Sequence, residues 1–115
     1  MTVTAMDLVK EAKKIIKEVN VDQANAMIAN GSIALDVREV AEYEAGHIPN
    51  SIHIARGVLE FQITDHDKFQ DKDASIVIYC RSGGRSALAA IALEQLGYTD
   101  VCSMAGGYNL WSEKA

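Results

Sequence analysis

Ser75-Ile76-Val77-Ile78-Tyr79-Cys80-Arg81-Ser82-Gly83-Gly84-Arg85-Ser86-Ala87-Leu88-Ala89-Ala90 contains three elements in succession. The apolar run through Tyr79 has the length and β-branched content of a buried strand. Two glycines then mark a turn, and the Ala/Leu pattern after them predicts a helix. The first N–H groups of a helix lack internal partners and its macrodipole is positive there, so this turn stabilises a negative group. A Cys80 thiolate is such a group. Arg81 and Arg85 add cationic charge, and a setting of this kind lowers a cysteine pKa from about 8.5 toward about 3.5–7.5. Gly83 and Gly84 allow successive N–H groups to turn inward as an anion nest. The competing reading, a cysteine that merely closes a buried strand, has no use for these glycines.

The same alternation extends outward from this loop. Met6, Val9, Ala12, Ile16 and Val19 recur at helical spacing with Lys10, Lys13, Lys14 and Lys17 on much of the other side, predicting an amphipathic helix over residues 5 to 18. A second helix is expected from Val21 with Asp22 as N-cap, ending at Asn30-Gly31. Strands follow at Ile33–Val37 and Ser51–Ile54, separated by a short helix from Glu39 to Ala45 that Gly46 stops. A helix over Gly57–Ile63 precedes a polar connection from Thr64 to Asp73 without apolar period. After the helix that begins near Ser86 and stops at Gly97 come a strand at Val101–Met104 and a last helix from Gly107 through Trp111. Strands alternating with helices predict a mostly parallel sheet with helices on both faces, and ligands of such sheets sit beyond the carboxyl ends of the strands. Cys80 is at that end of its strand.

The chain of 115 residues has room for one core, and its 49% hydrophobic and 23% charged residues are those of an ordinary globular protein. A net charge of −5 argues against general nucleic-acid binding, which needs a basic footprint. The start of the chain predicts neither a signal peptide nor a membrane span, so the expected location is the cytoplasm. Lysines on the first helix would suit a membrane surface, but Glu11 and Glu18 and the lack of aromatic anchors favour packing on protein. Two cysteines are too few for a disulfide framework and have no zinc-site spacing, so both are read as thiols, with Cys102 as core packing.

Four separated pieces carry a resemblance: Asp36-Val37-Arg38 with Glu39 and Tyr43-Glu44, then Gly46-His47-Ile48-Pro49-Asn50-Ser51-Ile52, the Cys80–Ser86 loop, and Gly106-Gly107-Tyr108-Asn109-Leu110-Trp111. In this order they are similar to a single-domain rhodanese, the thiosulfate sulfurtransferase family. The resemblance implies an α/β, three-layer fold with a five-stranded, mostly parallel sheet flanked by helices. It divides the chain into a helical extension over 1–19 and a rhodanese domain over 20–115. It further implies that Cys80 carries sulfane sulfur as a persulfide, taking it from thiosulfate or another persulfide donor. The acceptor is cyanide, a thiol, or a sulfur-accepting protein. No metal or organic cofactor is implied.

Within that chemistry Arg81 and Arg85 are suited to a donor's sulfonate oxygens, Arg85 the more so because it closes the loop. Ser82, Gly83 and Gly84 form the cradle, and Ser86 is a first-turn residue expected first to cap the helix and otherwise to offer its hydroxyl to the persulfide. Asp36 and Arg38 lie on one side of their strand, so an ion pair that organises loops is expected of them. His47 is expected to fix its loop by hydrogen bonding rather than act as a base. Two rivals remain: a cysteine phosphatase or arsenate reductase, and a regulatory module of this fold without chemistry. The former enzymes place an arginine after five intervening residues, whereas Arg81 to Gly84 are four, which predicts a smaller cradle. Retention of Cys80 opposes the latter. The first helix, finally, is expected to dock on its own body or a second subunit, and its removal is expected to leave the loop intact.

Overall fold

The computed structural model describes residues 2–114. Five strands form one sheet: β1 (Glu18–Val19), β2 (Ile33–Asp36), β3 (Ile52–His53), β4 (Ile76–Tyr79) and β5 (Val101–Met104), in the order β1-β5-β4-β2-β3. All four pairings are parallel. The six α-helices among the described residues are α1 (Ala5–Ile15), α2 (Val21–Ala29), α3 (Val40–Ala45), α4 (Leu59–Gln62), α5 (Gly84–Gln95) and α6 (Gly107–Lys114). Side chains alternate across the central strand as a period of two requires. Ile76 and Ile78 enter one core with Val9 and Ala12 of α1, Leu59 of α4, and Ala87, Ala90 and Leu93 of α5. Val77 and Tyr79 enter the other with Val21 and Ala24 of α2, and Tyr108 and Trp111 of α6 pack against it. The expected three layers are present.

Several boundaries differ from the periodicity. α1 ends at Ile15, because Ser103 N donates to Lys17 O and Ala105 N to Val19 O, which draws residues 18 and 19 into the sheet as an edge strand. The cap of α2 is Asn20 rather than Asp22: its side chain accepts from Gln23 N while Gln23 Oε1 accepts from Asn20 N, both at 2.8 Å. The single helix expected over 57–63 is broken into a 3-10 turn (Arg56–Val58), α4 and a second 3-10 turn (Ile63–Asp65). The connection after it is not wholly polar in role either. Phe69, in a third 3-10 turn, is buried, and its carbonyl accepts from Tyr98 Oη at 2.9 Å.

Candidate active site

β4 delivers Cys80 to the carboxyl edge of the sheet, and the chain turns there directly into α5. The turn is possible because Gly83, which rather than Ser86 is the N-cap of α5, adopts φ 116°, a left-handed conformation that disfavours side chains. Its N–H thereby points back and donates to Cys80 Sγ at 3.1 Å. Ser86 Oγ lies 3.5 Å from the same sulfur. Burial alone pushes the Cys80 thiol up, but the Ser86 hydroxyl and the N–H groups of Ser86, Gly83 and Ser82 outweigh it, and the net shift is downward. The loop therefore favours the ionised form of the sulfur, which lies at its floor, where Cys80 is only 1% exposed. The second thiol contrasts with it: burial raises Cys102 to about 11, as for an inert packing residue.

Three supports hold the loop. Ser86 Oγ shares a hydrogen bond of 2.8 Å with Ser103 Oγ of β5, and both serines are fully buried. The N-terminus of α6 donates from Tyr108 N to Cys80 O at 2.8 Å and from Asn109 N to Arg81 O at 3.0 Å. Gly107 makes that approach possible, since a Cβ there would stand 2.6 Å from the carbonyl oxygens of Cys80 and Arg81. Third, α3 reaches across: Glu42 Oε1 and Oε2 accept from Arg85 Nη1 and Nη2 at 2.7 and 3.1 Å. This bidentate pair holds the Glu42 carboxyl down at about 2.

The remaining residues singled out from the sequence fall into two groups. Arg81 and Ser82 stand exposed on the outer turn of the loop. Asp36 and Arg38 form a buried pair at the end of β2, with Arg38 Nη2 2.7 Å from Asp36 Oδ2 and donating also to Gly46 O at 2.6 Å. The Arg38 guanidinium lies 4.4 Å from the Tyr108 ring centroid, so the pair ties β2 and the Gly46 turn to α6. His47 is exposed, donates from Nδ1 to Tyr43 O at 2.8 Å and stacks on the Tyr43 ring at 3.8 Å. It belongs to the α3 loop and not to the sulfur cradle.

Sequence reasoning passed over Glu42, Ser103 and the buttressing role of Gly107. Ser103 had a signal, a hydroxyl inside the apolar run Val101-Cys102-Ser103-Met104. Glu42 had none, for its partner is 43 residues away. The first helix docks on its own body and reaches the loop. Val9 Cγ2 of α1 stands 3.7 Å from where a Gly84 Cβ would be, and Lys13 Nζ 3.8 Å from the same point on Gly83.

Comparison with known proteins agrees with this architecture. A family model described as a Rhodanese-like domain matches residues 20–114. The thiosulfate sulfurtransferase GlpE of Pseudomonas syringae pv. syringae is 35% identical over 95 residues, covering 83% of this chain and 86% of the relative. The human single-domain sulfurtransferase TSTD1 superposes with a TM-score of 0.77 at 28% identity, covering 85% of this chain and 96% of that one. A Rhodopseudomonas palustris protein, RPA3614, described as of unknown function and a possible tyrosine phosphatase, superposes with a TM-score of 0.90 at 32% identity. That likeness covers 99% of this chain and 92% of the other, α1 included.

Proposed function

The chain belongs to the rhodanese-like domain family, and from that premise we propose that it is a thiosulfate sulfurtransferase whose sulfur carrier is Cys80. The observation that carries the reading is the hydrogen bond of 3.1 Å from Gly83 N–H to Cys80 Sγ at the start of α5. The thiolate attacks the outer sulfur of thiosulfate; a new S–S bond forms, the donor's S–S bond breaks, and its electron pair leaves with sulfite. The persulfide's outer sulfur is then bonded about 2 Å from Sγ. Cyanide or a thiolate attacks that outer sulfur, and the electron pair returns to Cys80. Negative charge stays throughout in the space that the loop N–H groups face. Asp36, Arg38, Ser103 and α6 act by holding that loop in register. Two unpaired thiols suit a reducing compartment, so the cytoplasm is the setting proposed, with small molecules or a sulfur-accepting protein as acceptors.

Phosphate-ester hydrolysis is the competing chemistry, and the description of RPA3614 makes it worth testing directly. One feature favours sulfur: the Gly83 N–H of the cradle is taken by the Cys80 sulfur itself, 3.1 Å away. The fork of Arg85, expected to bind a donor's sulfonate, is bound by Glu42 and favours neither anion. Incubation with thiosulfate followed by intact-protein and peptide mass spectrometry should show one added sulfur atom on Cys80, discharged by cyanide as thiocyanate. Cys80→Ser should fold and transfer nothing. Efficient aryl phosphate hydrolysis by the wild type, without persulfide formation, overturns the assignment.

A further inference from the structure

We propose that Lys13 of the N-terminal helix is a donor-docking residue, a cation brought over the sulfur loop that draws anionic sulfur donors to it. The inference rests on the sulfur-transfer reading above. It begins with placement. Although the lysines of α1 lie mostly opposite its apolar stripe, Lys13 follows Val9 by one turn and stands beside it, both reaching the loop. Val9 is buried, with its Cγ2 3.7 Å from the Cβ position of Gly84. Anchoring Val9 there aims Lys13 at the next residue of the loop, and its Nζ stands 3.8 Å from the Cβ position of Gly83. Gly83 is the residue whose N–H holds the Cys80 sulfur. The helix that lies outside the family match thus meets the loop at both of its glycines.

Charge makes the placement consequential. Of the two loop arginines, Arg85 is bound by both carboxylate oxygens of Glu42. The Lys13 ammonium is held less firmly: Glu18 Oε2 lies 3.8 Å away, and the lysine side chain keeps 39% of its exposure. An ammonium has three donors and a flexible stem, so Lys13 can turn toward an arriving anion without breaking a fixed fork. A charge in contact with the loop lies within the Debye length of about 8 Å at physiological ionic strength, so it acts on a docking dianion in spite of salt. The class of donor selected is an anion carrying sulfane sulfur, with thiosulfate the simplest.

The test compares Lys13→Glu, Lys13→Gln and Lys13→Arg with Lys14→Glu in the full-length protein. Lys14, 70% exposed and paired with Glu11, gives the same change of net charge away from the loop. Two readouts are taken: kcat and KM for thiosulfate, and the ratio of Cys80 alkylation rates by iodoacetate and by neutral iodoacetamide, followed by peptide mass. Lys13→Glu should raise KM about fivefold with kcat nearly unchanged and lower the alkylation ratio by a similar factor. Lys13→Gln should fall between, and Lys13→Arg and Lys14→Glu should stay near wild type. Equal effects of Lys13→Glu and Lys14→Glu, or a change in kcat alone, overturn the proposal. The alkylation ratio is independent of sulfur transfer. If it drops in Lys13→Glu while the wild type forms no persulfide, Lys13 draws anions to the loop but the sulfur-transfer reading, and with it the sulfur donor as the docked anion, fails.

Discussion

Glu42 accepts from both terminal guanidinium nitrogens of Arg85, joining α3 to the first turn of α5 across 43 residues. Paired in this way, Arg85 braces the loop from outside. The pair also links stability to acid. The Glu42 carboxyl sits at about 2 in the folded protein against an ordinary 4.5, because Arg85 bonds its ionised form. A depressed folded pKa gives stability that is fully present above 4.5 and lost as pH falls toward about 2. At roughly one-third exposure the pair contributes about 1 kcal/mol at most. Urea unfolding of wild type and Glu42→Gln should differ by that amount at neutral pH and converge across this window. A constant difference down to pH 2 would show that the ion pair is not its source.

The two thiols should titrate far apart. Cys80 lies below the ordinary value of 9.0 and Cys102 at about 11, so with rising pH alkylation of Cys80 should switch on before that of Cys102. Ser86→Ala removes one donor to the Cys80 sulfur, and its midpoint should move up. Peptide-resolved iodoacetamide kinetics between about pH 5 and about 10 gives the Cys80 midpoint in wild type and variant, with Cys102 still slow at the top of the range. A Cys80 midpoint unmoved by Ser86→Ala would leave the backbone N–H groups as its whole support.

Ser86→Ala also strands the buried hydroxyl of Ser103, 2.8 Å away, at a cost of about 1–3 kcal/mol. Adding Ser103→Ala should return most of that stability, because no buried polar group is then left unpaired. Thermal unfolding of the two single variants and the double variant completes the cycle. Simple additivity would mean that the two serines do not act as a pair.

Gly107→Ala should be among the most damaging single-methyl changes in the chain. Its φ of 57° is left-handed, and the new Cβ would meet the backbone of Cys80 and Arg81 at 2.6 Å. Strain of this kind costs about 1–3 kcal/mol, and relief requires α6 to retreat from the loop carbonyls. Both the urea midpoint and the rate of persulfide formation should drop. Retained activity in a destabilised variant would separate the buttress from the chemistry.

Arg38→Met should lower stability by about 3–5 kcal/mol, because it leaves the Asp36 carboxylate charged, buried and without its partner. Adding Asp36→Asn should recover part of the loss. The comparison is made by urea unfolding at neutral pH, and a loss below about 1 kcal/mol for the single variant would mean that water replaces the guanidinium.

The sulfur cradle was legible in the sequence because its parts are contiguous. An apolar strand, Gly83-Gly84 and an Ala-rich helix can be assembled in one way locally, and that way presents N–H groups to Cys80. The ion pair of Asp36 and Arg38 was legible for the same reason, since residues two apart in extended chain share a side, although β2 itself ends at Asp36 and Arg38 stands just beyond it. Periodicity was less informative where the chain departs from it: the strand Glu18–Val19 continued a helical stripe in sequence, and only hydrogen bonds to β5 convert it to sheet edge. What tertiary structure alone decided is which distant groups surround the loop. Glu42 engages Arg85, Ser103 engages Ser86, Gly107 admits α6, and Lys13 arrives over Gly83, each across 17 or more residues of chain. No propensity or spacing encodes such meetings; they follow from the order in which the strands lie and from how closely each helix packs upon them.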